Sequence, residues 1–247
     1  MYKLKVLILS AGKGSRLNLE MPKSLVKLDD RTMLEVQIEQ LSIAGIDRKD
    51  ITVITGYKNN LFSKHGLMTQ NNEHYSSTGQ VYSISCGTNY SNQKEVIIIY
   101  GDILFEAKLI DAIKLTDSNF IVPSFKNFKK LWQERGDCDF DDLETFIQDS
   151  DHNLLEIGNK VDDINLVNGQ FMGILYFNNY MFEKFLKWYE EYKKTYGDQG
   201  YYEIQTTTFL NHLIRKNIDI KTIDYEGYFR ELDNEKDLEL IRESLIF

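Results

Sequence analysis

Proline is almost missing from this sequence. Pro22 and Pro123 are the two in 247 residues. With 42% hydrophobic residues, that scarcity excludes a disordered chain or a proline-rich linker. Cysteine is as rare: Cys86 and Cys138 have no metal spacing and no C-x-x-C, and read as free thiols in a reducing cytoplasm. The four histidines do not cluster, which argues against a zinc site. Positive charge is in deficit, 29 Lys and Arg against 38 Asp and Glu, for a net charge of −9. That balance argues against general binding to nucleic acid or an anionic membrane. No apolar run could span a bilayer, and Val6–Leu9 is too short for a signal peptide, so a cytoplasmic protein is expected. Internal repeats, low-complexity tracts and an obvious Ser-His-Asp or Cys-His set are all missing.

What is present is a chain long enough for a full core, one α/β domain or two small ones, burying about 70–75% of its unfolded surface. Its organising stretch is Leu7-Ile8-Leu9-Ser10-Ala11-Gly12-Lys13-Gly14-Ser15-Arg16-Leu17, followed by Pro22-Lys23-Ser24-Leu25. An apolar strand runs straight into glycines and cations. Glycines let backbone N–H groups approach and cradle polyphosphate oxygens. Lys13 and Arg16 add charge, and the planar fork of Arg16 suits a phosphate. Two familiar loops are excluded. A P-loop needs G-x-x-x-x-G-K-[ST], and a dinucleotide fingerprint needs a third glycine where Leu17 stands.

Thr32–Ala44 has helical apolar spacing with Gly45 as its stop, and Ile51–Thr55 is a β-branched strand. Strand, loop, helix and strand form the unit that builds a parallel sheet, with ligands outside the carboxyl ends of its strands. Glu95–Tyr100 is another strand, ending at Gly101-Asp102, so the Asp102 carboxylate faces the crevice of the glycine loop. A divalent cation held there could bridge triphosphate oxygens. Asn119–Pro123 reads as a strand, and Glu144–Gln148 with Leu154–Ile157 as a hairpin about Asp149–Asn153. Asn179–Tyr192 is an amphipathic helix whose Phe182, Phe185, Leu186 and Tyr189 stripe reads as core or dimer contact. Thr206–Arg215 is a helix and Ile218–Ile223 a strand. Asp233, before a last helix, is either its N-cap or a ligand, and Asp237 is structural. Asn72, Thr78 and Ser83 are helix-start residues or ligand contacts.

L-x-A-G-x-G-S-R-L followed by P-K-x-L resembles the signature of nucleotidyltransferases that activate sugar phosphates and small alcohol phosphates. The resemblance implies that Ser10, Ala11, Gly12, Lys13, Gly14, Ser15 and Arg16 hold the triphosphate. It makes Arg16 and Lys23 the catalytic cations, with Lys23 on the attacking phosphate. It places Asn72, Thr78 and Ser83 near base and ribose, and makes Asp102 and Asp233 the ligands of Mg²⁺. The segment between Leu17 and Pro22 is shorter than in many sugar enzymes. Further on, Trp132-x-x-Arg135, Asp142-Leu143-Glu144-Thr145-Phe146, Leu154–Lys160 and Gly169–Gly173 resemble the phosphocholine cytidylyltransferase-like branch, to which phosphoglutamine cytidylyltransferases of surface-polysaccharide pathways belong. That implies an acceptor site of Trp132, Arg135, Glu144, Glu156, Lys160 and Gln170, with Lys160 on the acceptor phosphate and Trp132 over a cationic head. Gln205-Thr206-Thr207 departs from the family's Asp-Met-Thr.

The implied fold is α/β: a Rossmann-like three-layer sandwich, with a mixed, mostly parallel sheet and a small β-hairpin acceptor subregion. It forms one domain over 1–247, residues 1–118 serving CTP and metal and 119–247 the acceptor. The implied activity is a cytoplasmic, Mg²⁺-dependent cytidylyltransferase joining CTP to a small phosphorylated metabolite, for capsule or surface polysaccharide. L-Glutamine phosphate comes first, then phosphocholine, then aminoethylphosphonate. No general base is needed, because a phosphate dianion is already nucleophilic. Alternatives are a sugar-1-phosphate nucleotidyltransferase, a nucleotide-sugar glycosyltransferase and an inactive nucleotide sensor. A homodimer stays open.

Overall fold

The computed structural model describes residues 3–14, 20–136 and 143–247. In chain order its elements are β1 (Lys5–Ser10), α1 (Met33–Ile43), β2 (Ile51–Thr55), β3 (Met68–Asn71), α2 (Gln80–Ser85), β4 (Val96–Tyr100), β5 (Ile103–Phe105), α3 (Ala107–Leu115) and β6 (Phe120–Phe125). They continue with α4 (Phe128–Arg135), β7 (Glu144–Gln148), β8 (Leu154–Lys160), β9 (Gln170–Phe171), β10 (Ile174–Phe177), α5 (Met181–Glu203), α6 (Thr206–Arg215), β11 (Lys221–Tyr225), β12 (Phe229–Glu231) and α7 (Glu235–Ser244).

The central sheet has the order β11-β6-β10-β4-β1-β2-β3, with β9 also on β6. β4, β1, β2 and β3 are mutually parallel, as are β6 and β11. β10 lies between β4 and β6 and is antiparallel to both. The expected mixed, mostly parallel sheet is therefore present. Its central strands are apolar on both faces because helices cover both. Val6, Ile8, Ile97 and Ile99 pack toward Leu34 and Ile38 of α1 and Ile110 of α3. Leu7, Val96 and Ile98 pack toward Val81 of α2, Phe182 and Phe185 of α5, and Phe209 of α6. That is the three-layer arrangement. Phe182, Phe185 and Tyr189 are fully buried, so the aromatic stripe is core.

Local differences from the sequence expectations have physical causes. The helix expected to end at Tyr192 runs on as α5, because Glu190–Thr195 is polar but helix-compatible. It breaks at Gly197 (φ 74°). The strand expected from Ile218 starts at Lys221, because Asn217 turns at φ 57° and the Ile218 N–H closes onto Leu213. β6 passes through Pro123, whose missing N–H falls between the last β10 pair at Ile121 and the first β9 pair at Ser124.

Two small pairings aim the site. β5 and β12 are antiparallel with Ile103 opposite Glu231. The Leu232 N–H donates to the Asp102 carbonyl at 2.8 Å. Residues from the far end of the sequence thereby sit beside the carboxyl end of β4. β7 and β8 form the expected hairpin, which sets Gly158, a left-handed position within β8 (φ 76°), against the Thr207 side chain.

Candidate active site

β1 and β4 are neighbours with Leu9 opposite Tyr100, so the glycine loop after β1 and Gly101-Asp102 after β4 open on one edge. Gly101 closes the gap: its N–H donates to the Leu9 carbonyl at 2.8 Å. A Cβ there would stand 2.6 Å from that carbonyl and strike the Ser10 hydroxyl, so only glycine fits. Ser10, Ala11, Gly12 and Gly14 line the resulting cleft, whose volume is about 1030 Å³. Lys13 is exposed and stands outside the lining, its ammonium 5.9 Å from the Tyr57 ring centroid. Ser15 and Arg16 lie outside the described residues.

Lys23, held by a short helical turn after Pro22, reaches into the cleft. Its Nζ donates to Asp102 Oδ2 at 3.0 Å and to Asp233 Oδ1 at 2.8 Å. Burial works against the ammonium, but the two carboxylates outweigh it and hold the pKa of Lys23 above its ordinary value. Asp102, Asp233 and Glu231 can each present an oxygen within 4.8 Å of the others. Burial, then the negative charges of Asp233 and Asp102, push the Glu231 carboxyl up to about 8. Three oxygen donors crowded with like charge are the donor set of a hard divalent cation, so the residues present fit one.

Asp233 is not the N-cap of α7. Asn234 takes that position, its side chain accepting from the Asp237 N–H, while the Asp237 carboxylate accepts from the N–H groups of Asp233 and Asn234. The Asp233 carboxylate takes no part in that capping box and faces Lys23. Asp237 is structural, as expected, and also holds Arg135 Nε at 2.8 Å. Arg135 Nη2 stands 3.4 Å from Asp233. Burial opposes its charge, and Asp237, Glu231 and Asp233 raise its pKa in spite of that. Arg135 is thus part of the acidic cluster's frame.

On one wall of the cleft stand Thr78, Gly79, Gln80 and Ser83. Asn72 lies behind them, 1% exposed, donating to the hydroxyls of Thr78 and Ser83 at 3.0 Å each. It orders the wall and is not on its surface. Trp132, Arg135, Glu144 and Gln170 line the other wall. The Trp132 indole N–H donates to Gln170 Oε1 at 2.9 Å, and the Arg135 guanidinium lies 4.9 Å from its ring centroid. The protein's own cation therefore already uses the ring expected to cover an acceptor's cationic head. Burial raises the pKa of Glu144.

Glu156 and Lys160 are on β8 but outside the cleft lining. Ile157 takes the buried position of that strand, so Glu156 beside it faces away, and Lys160 is exposed opposite Glu144. Glu231 was legible only as half of a pair: Glu231 and Asp233 are two apart in an extended segment, and so share a side. Tyr100, Thr145, Thr206 and Thr207 also line the cleft; Thr145 lies within the Asp142–Phe146 motif and Thr206-Thr207 within the stretch that stands where the family has Asp-Met-Thr.

The MobA-like NTP transferase domain matches residues 6–163. The chain is 26% identical to the CTP:phosphoglutamine cytidylyltransferase of Campylobacter jejuni over 253 residues, covering 96% of this chain and 98% of that protein. Over 88 residues it is 35% identical to the choline-phosphate cytidylyltransferase of Streptococcus pneumoniae, 33% of this chain and 38% of the relative. The solved structure of a CTP:phosphocholine cytidylyltransferase from Streptococcus pneumoniae aligns with TM-score 0.73 at 19% identity, covering 99% of this chain and all of that one. An inositol-1-phosphate CTP transferase from T. maritima aligns with TM-score 0.74 at 16% identity, covering 100% of this chain and 99% of that one. These structural likenesses carry the fold.

Proposed function

The chain belongs to the MobA-like NTP transferase family and is a nucleotidyltransferase, and we propose that it is a cytidylyltransferase joining CTP to a small phosphorylated acceptor. The observation that carries this reading is Lys23, bound between Asp102 and Asp233 beneath the glycine loop. An acceptor phosphate oxygen attacks the α-phosphorus of CTP, the bond from that phosphorus to the β-phosphate's bridging oxygen breaks, and pyrophosphate leaves. This chemistry needs alignment and charge compensation more than covalent help. Lys23 lowers the repulsion between the incoming phosphate and the triphosphate. Backbone N–H groups of Ala11–Gly14 and the Arg16 guanidinium hold the leaving phosphates. Asp102, Asp233 and Glu231 would hold Mg²⁺, which supplies Lewis-acid charge to the triphosphate oxygens when bound.

The Thr78–Ser83 wall takes the base and ribose, and the Trp132–Gln170 wall the acceptor, dividing the domain into a CTP half (1–118) and an acceptor half (119–247). L-Glutamine phosphate is the first acceptor, because the relative aligned over nearly the whole chain is named for phosphoglutamine. Phosphocholine is second and aminoethylphosphonate third. The product serves decoration of capsule or surface polysaccharide, and the reaction runs in the cytoplasm. Among the described residues no helix is long and apolar enough to cross a membrane.

The test is pyrophosphate release with Mg²⁺, each of the four ribonucleoside triphosphates being offered with L-glutamine phosphate, phosphocholine, aminoethylphosphonate and glucose-1-phosphate. Turnover with CTP and one of the first three supports the proposal. Turnover with glucose-1-phosphate moves the protein to the sugar-activating enzymes. CTP binding without turnover on any acceptor favours a nucleotide sensor.

A further inference from the structure

In a straight helix Tyr189 and Tyr201 would be about 18 Å apart. Here their rings stack, with centroids 4.1 Å apart and planes within 13°. The break at Gly197 makes this possible, turning residues 198–203 back along the first part of α5 as a short arm. The arm is fastened by the buried Tyr189 hydroxyl, which donates to the Tyr201 carbonyl at 2.6 Å. The Tyr201 hydroxyl in turn donates to Glu190 at 2.7 Å.

The next residue of the arm touches the cleft wall. Gly79 donates its N–H to the Tyr202 carbonyl at 2.7 Å. A Cβ on Gly79 would run into the Ile204 carbonyl and stand 2.7 Å from that of Glu203, so wall and arm fit only with glycine there. Beyond the arm, the Thr206 hydroxyl accepts from Tyr100 at 2.8 Å, and Thr206 and Thr207 line the cleft. One continuous segment, 198–207, is therefore pinned by a tyrosine hydroxyl at Tyr201 and by another at Thr206, and runs from the Thr78–Ser83 wall to the cleft lining at Thr206 and Thr207.

We propose that Tyr189, which has no place in the cleft lining, is a positioning residue for nucleotide binding, acting through Tyr201, Tyr202 and Gly79. This rests on the reading of the Thr78–Ser83 wall as the nucleotide wall. Without the Tyr189 hydroxyl the Tyr201 carbonyl loses its donor and the arm loosens against Gly79. The second pin, from Tyr100 to Thr206, and the Trp132–Gln170 and Trp132–Arg135 contacts are untouched, so the acceptor wall keeps its position.

The experiment is calorimetric binding of CTP, with KM for each substrate, for the wild type and Tyr189→Phe, Gly79→Ala and Tyr192→Phe. Tyr189→Phe keeps the stacked ring and should weaken CTP binding about three- to tenfold, leaving the acceptor KM unchanged. Gly79→Ala should show the same selective loss, larger. Tyr192→Phe alters a neighbouring ring of the same cluster without touching the arm's fastening and should leave both constants unchanged. Wild-type CTP affinity in Tyr189→Phe, even with a lowered melting temperature, overturns the inference alone. A wild-type protein that binds no nucleotide overturns the reading of the wall, and this inference with it.

Discussion

Lys23 and Asp233 are 210 positions apart in the chain and meet at 2.8 Å. The contact ties the loop after the first strand to the start of the last helix, and Asp102 closes it from the middle of the sequence. Each partner is paired with charge of the opposite sign, so each is expensive to remove.

Lys23→Ala should lower the rate of pyrophosphate release about a hundred- to a thousandfold, the usual cost of losing one preorganised charged donor. CTP binding, followed by calorimetry, should survive, because the glycine loop and the Thr78–Ser83 wall are unchanged. Equal loss of binding and rate would mean that Lys23 holds the nucleotide rather than the acceptor phosphate.

Chelation of divalent cations should abolish turnover, and added Mg²⁺ should restore it. Asp102→Asn and Asp233→Asn should each raise the Mg²⁺ concentration for half-maximal rate by at least about tenfold, no less than an indirect partner of a metal ligand costs. A metal titration of the two variants checks this. Unchanged half-saturation would place the cation elsewhere.

Trp132→Phe keeps an aromatic ring but takes the donor from Gln170 Oε1, whose residue is 9% exposed. The expected cost is about 1–3 kcal/mol of stability in denaturant unfolding. The acceptor KM should rise while the CTP KM stays, since the change falls on one wall of the cleft.

His65 should make stability depend on pH. Burial holds its imidazole below the ordinary 6.5, an effect that Glu35 Oε1 at 3.4 Å only partly offsets. Above 6.5 the group is neutral in both states. As pH falls below 6.5 the unfolded chain takes the proton first, and stability drops by at most about 1.4 kcal/mol per pH unit until the folded pKa is passed. Unfolding midpoints at pH 7, 6 and 5 should fall less in His65→Gln than in the wild type.

Much of the fold was legible because its signals are local. Ile51–Thr55 is a run of β-branched residues, and β2 has the same bounds. The helical apolar spacing over Thr32–Ala44 is taken up by α1 (Met33–Ile43), which the structure shows capped by Thr32 in a box with Glu35. The meeting of Lys23 and Asp102 was legible because the glycine loop that leads to Lys23 leaves β1, and Gly101-Asp102 leaves β4, at the same sheet edge. Placement in the cleft was not legible where a hairpin's facing decides. Glu156 and Lys160 have suitable chemistry, but Ile157 claims the inward position of β8. Thr206 and Thr207 reach the cleft because α6 packs on β8, a long-range contact with no periodic trace.

The antiparallel place of β10 has a consequence for synthesis. β4 is Val-Ile-Ile-Ile-Tyr, without charge or proline, the composition of segments that pair with copies of themselves. Its β1 side is satisfied early in synthesis. Its other edge waits for β10, which begins only at Ile174. While the intervening chain is being made, that edge is a bare template. The yield of native protein therefore depends on how quickly Ile174–Phe177 arrives and inserts, and nascent chains stalled before it are the species a holding chaperone would be needed to shield.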